Sequence, residues 1–121
     1  MHDYRPEGWP TVTPRLFTPD VAGLAAFLRE VFGAAGEVHP GRPAEMRIAD
    51  SLVMVSDGGG VREAHPAFLY VYVPDVDESH RRAMAAGARE IEAPLDTPYG
   101  DRRATIEDRW GNSWQIATRK A

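Results

Sequence analysis

Thr97-Pro98-Tyr99-Gly100-Asp101-Arg102-Arg103-Ala104-Thr105-Ile106-Glu107-Asp108-Arg109-Trp110-Gly111-Asn112-Ser113-Trp114-Gln115-Ile116 reads as a β-hairpin. Thr105-Ile106-Glu107 and Trp114-Gln115-Ile116 are short runs carrying the β-branched and aromatic side chains that suit a pleated, half-buried surface. Asp108-Arg109-Trp110-Gly111-Asn112 supplies the turn, with the Asp, Gly and Asn that tight turns need, Gly and Asn because they tolerate a positive φ. Trp114 and Gln115 are neighbours on a strand and point to opposite faces, so Trp114 belongs with the helix-side core and Gln115 on the other side.

Upstream of the hairpin, Phe68-Leu69-Tyr70-Val71-Tyr72-Val73 alternates aromatic with aliphatic residues. That strand presents Phe68, Tyr70 and Tyr72 on one face and packs Leu69, Val71 and Val73 beneath helices. Asp75 then caps a helix with Glu78 as its box partner, and the helix runs to Gly87. The same order occurs earlier. Residues 11–17 form a strand whose Pro14 confines it to an edge or bulge. Thr18 or Asp20 caps the helix that follows, Val21, Leu24, Ala25 and Leu28 make its apolar stripe, and Gly33 ends it. Short strands are predicted over 37–39, 45–49 and 52–55. Thr18-Pro19-Asp20-Val21 matches Val73-Pro74-Asp75-Val76, and Phe32-Gly33-Ala34 matches Ala86-Gly87-Ala88. The pattern is two tandem βαβββ modules, about 11–57 and about 67–118, joined by a glycine linker over 58–66. An α+β fold in one domain follows, since 121 residues lie within the ~100–150 typical of a domain.

Composition narrows the function classes. There is no cysteine, which removes disulfides, thiolate metal sites and cysteine nucleophiles and is compatible with a reducing cytoplasm. The polar first ten residues do not read as a signal peptide, and no run approaches the ~20 apolar residues that span a bilayer. A net charge of −4 argues against nucleic acid as a partner. A small-molecule ligand is the expected partner, with neither nucleic acid nor membrane.

Tyr99-Gly100-Asp101-Arg102, Asp108 and Gly111-Asn112-Ser113-Trp114 resemble the closing strands of the vicinal oxygen chelate superfamily, which holds glyoxalase I, extradiol dioxygenases and bleomycin-resistance proteins. Within it the spacing is most similar to the PhnB-like subgroup, and the resemblance extends from about Gly8 to Thr118. It implies paired modules forming a curved mixed sheet around a cleft, and a homodimer. It also implies metal ligands on the first and last strand of each module. Here those positions fall at Thr13, Phe68, Gln115 and either Val53 or Met54. A divalent metal needs three or four nitrogen or oxygen donors, which this set does not supply, so no cofactor is expected. His2 and His39 read as exposed, His65 as part of the linker and His80 as a helix-surface residue. PhnB-like relatives often carry a His before the third strand, where this chain has Arg42-Pro43-Ala44.

The cleft that remains would be lined by Arg15, Phe68, Tyr70, Tyr72, Met54 and Gln115, with Trp110 in the turn as a lid or interface residue. Arg15 would pair with Glu45 or with an anionic ligand, and a buried phenol would need a hydrogen-bond partner. Asp101 and Arg102 read as a structural ion pair or turn contact. The expected function is binding of a small aromatic or anionic organic molecule by sequestration, without turnover. Two alternatives stay open. One is a metal-dependent lyase, isomerase or dioxygenase using Gln115 and His65; the other is a protein-interaction module displaying Trp9 and Trp110.

Overall fold

The computed structural model describes residues 4–57 and 65–120. The chain divides into two compact units, one of residues 1–29 with 33–64 and the other of residues 30–32 with 65–121. Most of the predicted linker over 58–66 lies outside the described residues.

The first unit holds β1 (Arg15–Phe17), α1 (Val21–Phe32, its last residues grouping with the second unit), β2 (Ala44–Ile48) and β3 (Ser51–Ser56). Its sheet has the order β1-β3-β2, with β1 parallel and β2 antiparallel to β3. β1 is the expected edge strand but shorter than residues 11–17. Pro14 has no amide to donate and joins the ladder only through its carbonyl, which accepts from Met54 N at 2.9 Å. α1 begins where Asp20 accepts from Gly23 N and ends at Gly33, left-handed at φ 66° with its N–H bonded to Arg29 O. Leu16, Leu24, Leu28, Val31, Met46 and Val55 are buried to 1% exposure or less.

The strand predicted over 37–39 does not form. Pairing there is a single bridge between Ala35 and Arg47, and the next residue, Gly36, brings the backbone so close to β2 that a Cβ would sit 2.2 Å from Glu45 O. Beyond it Pro40 and Pro43 bracket a turn at Gly41, so no further ladder can be built.

The second unit contains β4 (Phe68–Tyr72), α2 (Val76–Ala85), β5 (Arg89–Asp96), β6 (Asp101–Glu107) and β7 (Ser113–Arg119). Here the order is β4-β7-β6-β5, with β4 parallel to β7 and the other pairs antiparallel. Asp75 caps α2 by accepting from Glu78 N at 3.2 Å, as predicted. α2 lies against β5, β6 and β7. On the sheet face bearing Ala104, Ile106, Trp114 and Ile116 each of these is at 0% exposure, while Leu69 and Val71 of β4 on the same face stay half-buried. β5 forms the outer edge, largely exposed, with register shifts between Glu90 and Glu92 and again between Glu92 and Leu95. Each unit therefore repeats the same plan, a strand and helix followed by a return strand parallel to the first.

Candidate functional site

Strand parity builds the site on the second unit's sheet, on the face opposite Trp114. In register, Phe68 stands beside Ser113, Tyr70 beside Gln115 and Tyr72 beside Ala117. β6 continues these rows with Glu107, Thr105 and Arg103, and Arg119 stands beside Asp101. Phe68, Tyr70 and Tyr72 are 67%, 39% and 58% exposed, so the alternation read from the sequence places all three rings on an open surface. Leu69 and Val71 turn the other way.

Asp101 opens β6 at the end of these rows and is 1% exposed. Its Oδ2 accepts from the Tyr70 hydroxyl at 2.7 Å and from the Tyr72 hydroxyl at 2.9 Å. Arg119 Nε lies 3.3 Å from its Oδ1. The Tyr70 hydrogen bond leads in holding the Asp101 carboxyl below its ordinary value. Burial first, and then the bond to Asp101, push the Tyr70 phenol above the ordinary 10.0; for Tyr72 the bond to Asp101 is the leading cause of a rise. The two rings are tilted by 59° with centroids 5.4 Å apart.

A second polar chain runs beside it. Arg103 clasps Glu92 through Nε at 2.9 Å and Nη2 at 3.1 Å, and its Nη1 donates to the Tyr99 hydroxyl at 2.6 Å. Thr105 donates to Glu92 Oε1 at 3.0 Å, and Gln115 Nε2 donates to Thr105 Oγ1 at 3.4 Å. Arg103 is the leading cause that lowers the Glu92 carboxyl. These groups are satisfied by one another. Thr105 is tied to a carboxylate already clasped by a guanidinium, so neither is poised as a nucleophile or base.

The remaining predicted residues stand elsewhere. Arg15 and Met54 are cross-strand partners in the first unit. Arg15 is exposed; its Nε donates to Ser56 Oγ at 3.1 Å and its guanidinium lies over Phe17, 5.7 Å from the ring centre. Glu45, the expected partner, stands one strand further, across Met54. Arg15 also lines an open groove of about 730 Å³ with Asp20, His39, Arg42, Ser56 and Asp57. Trp110 is half-buried in the β6–β7 turn, where its amide donates to Asp108 Oδ1 at 2.9 Å. Asp101 and Arg102 do not pair. Arg102 instead reaches Asp77 at 2.9 Å and Asp96 at 3.2 Å, while Asp101 serves the tyrosines. Asp101, Arg103, Glu92 and Thr105 are therefore the site residues that the expectation missed. For the first of them the parity shared with Arg103 and Thr105 was the available signal.

The model of the Glyoxalase/Bleomycin resistance protein/Dioxygenase superfamily matches residues 11–116. The chain belongs to this superfamily. A curated relative, the uncharacterized protein Mb0911c of Mycobacterium bovis, is 30% identical over 125 residues, covering 88% of this chain and 82% of that protein. The crystal structure of TioX from Micromonospora sp. ML1 is similar with a TM-score of 0.77 at 25% identity, covering 91% of this chain and 98% of that one. A glyoxalase/bleomycin resistance protein/dioxygenase family enzyme from Burkholderia phytofirmans PsJN has a TM-score of 0.70 at 23% identity, with 86% and 94% covered. The last of these likenesses speaks to fold alone.

The metal implied by this superfamily can be tested against the donors present. Phe68 offers no donor atom, and Gln115 offers a single neutral amide oxygen, its Nε2 donating to Thr105. Thr13 precedes β1. His65 is exposed ahead of β4, with Nδ1 3.3 Å from Pro66 O. Among the described residues no three His, Asp or Glu side chains are grouped to hold a metal ion. The donor set does not fit a resident metal.

Proposed function

We propose that this superfamily member binds a small aromatic organic molecule on the open face of β4, β7 and β6 and holds it without turnover. The observation that carries the reading is the stripe of Phe68, Tyr70 and Tyr72, three exposed rings on one side of one strand. Apolar area of this kind, with a few convergent polar groups, is what a small-molecule surface requires. Two features support holding rather than reacting: the polar chain from Gln115 to Tyr99 is internally satisfied, and the donors do not suit a metal. Gln115 contributes an amide to the floor of this surface. Arg15 and Met54 belong to the first unit's open face, where an anionic ligand would instead meet Arg15 beside the groove. The hairpin resemblance keeps the PhnB-like subgroup and a homodimer as parts of the reading, and a chain free of cysteine keeps the cytoplasm as its expected setting.

The test is protein-observed NMR of the aromatic side chains against a library of aromatic fragments, with the fragments assayed for conversion over hours. The expected result is shifts at Phe68, Tyr70 and Tyr72 with the fragment recovered unchanged. Tyr72→Ala should weaken binding by about two- to twelvefold, given ~0.5–1.5 kcal/mol for an aromatic contact. Conversion of the fragment, or a stoichiometric metal in protein purified without chelator, would overturn the reading in favour of a metal-dependent enzyme.

A further inference from the structure

We infer that the molecule taken by the Phe68–Tyr70–Tyr72 face is an organic cation with a flat aromatic body, an inference that rests on the binding reading above. Three independent features of the face point to this charge.

First, its positive groups are already matched. Arg103 is paired with Glu92 at 2.9 Å, Arg89 with Glu107 at 3.0 Å and Arg119 with Asp101 at 3.3 Å. An anionic ligand would have to compete with a carboxylate for a guanidinium at each position. Second, the tyrosine protons are committed. Both hydroxyls donate to one carboxylate oxygen of a buried Asp101, so the phenol oxygens have only lone pairs left to offer and can only accept. Such oxygens turn their lone pairs toward a positively charged ligand. Third, the rings are placed for one cation to share. A cation is attracted over a ring within about 6 Å of its centre. With the Tyr70 and Tyr72 centroids 5.4 Å apart, one charge can satisfy that distance to both. Hydrogen bonding to a carboxylate also enriches each phenol in electron density, which strengthens the attraction.

An isosteric series separates the charge from the aromatic body: 1-methylquinolinium, 1-methylnaphthalene and 1-naphthoate, each titrated into the full chain by calorimetry with the tyrosine ring resonances followed by NMR. The expected result is binding of 1-methylquinolinium at least tenfold tighter than either of the others. In Tyr72→Leu that preference should fall to threefold or less while amide spectra stay folded. Tyr70→Phe, which keeps the ring, should retain most of it. Equal or tighter binding of the naphthalene or the naphthoate at the same tyrosines would overturn the charge assignment and leave the aromatic reading standing. No heat and no tyrosine shift with any of the three at millimolar concentration would overturn both.

Discussion

Asp101 shows how much one carboxylate can organise on an open sheet. It is buried, it holds two phenol protons on a single oxygen, and it draws Arg119 to the other. Both phenols are raised above the ordinary 10.0, so the folded state keeps them neutral where free tyrosine ionises. The stability from these bonds is complete below the unfolded value and is lost as pH rises beyond it. Phenolate absorbance during an alkaline titration should show Tyr70 and Tyr72 ionising above the ordinary range, and Asp101→Asn should bring them back toward it. Unchanged late titration in that variant would mean burial alone protects the phenols. The role of Asp101 was obscured by its neighbour: adjacent opposite charges suggest an ion pair, but consecutive strand residues face opposite sides. Glu92 was hidden differently, because the bulges in β5 break the parity by which it would have been assigned to this face.

At the scale of elements, the β6–β7 hairpin rests on the turn that its composition announced. Asp108 Oδ1 accepts from Trp110 N and Asn112 N, and its Oδ2 accepts from Asn112 Nδ2 and from Trp114 Nε1 at 2.9 Å. Asn112 in turn accepts from Ala67 N at 2.9 Å, linking the turn to the approach of β4. Asp108→Ala leaves the fully buried Trp114 indole N–H without its acceptor and should cost about 2–3 kcal/mol in urea denaturation. A loss under about 0.5 kcal/mol would show that another acceptor takes over. The elements with strong local chemistry were legible: Asp20 and Gly33 bound α1, Asp75 opens α2, and strict alternation marks β4. Two were overread for one shared reason. Residues 11–14 and 37–39 have strand-like side chains, but nearby prolines withhold the amides a ladder needs.

For the whole molecule, the repeat of strand, helix and returning parallel strand was readable from paired Pro-Asp-Val segments, whereas the chemistry on the sheet was not. Pairing across strands separates residues such as Tyr70 and Asp101 by 31 positions. Acid should therefore act on the protein through contacts that lie far apart in sequence. Asp77, Glu92, Asp96 and Asp101 are all held below their ordinary values, the first three chiefly by Arg102, Arg103 and Lys120 respectively. Their contribution is complete above the unfolded values of 3.8 and 4.5 and is lost as pH falls below them. The urea midpoint should stay level from neutrality to about pH 5 and drop on further acidification. A midpoint that is level down to pH 3 would count against these pairs as sources of stability.

The kinks in β5 bear on how this protein tolerates crowding. An outermost strand with a regular row of free amides and carbonyls is a template on which another polypeptide can extend the sheet, the first step toward fibrils and swapped oligomers. Here the row is interrupted twice, Pro94 withholds one amide, and charged side chains recur from Arg89 to Asp96. Copies of the folded chain that meet along this border find no continuous main-chain template, so concentrated solutions are guarded at that edge against growth of the sheet from one molecule into the next.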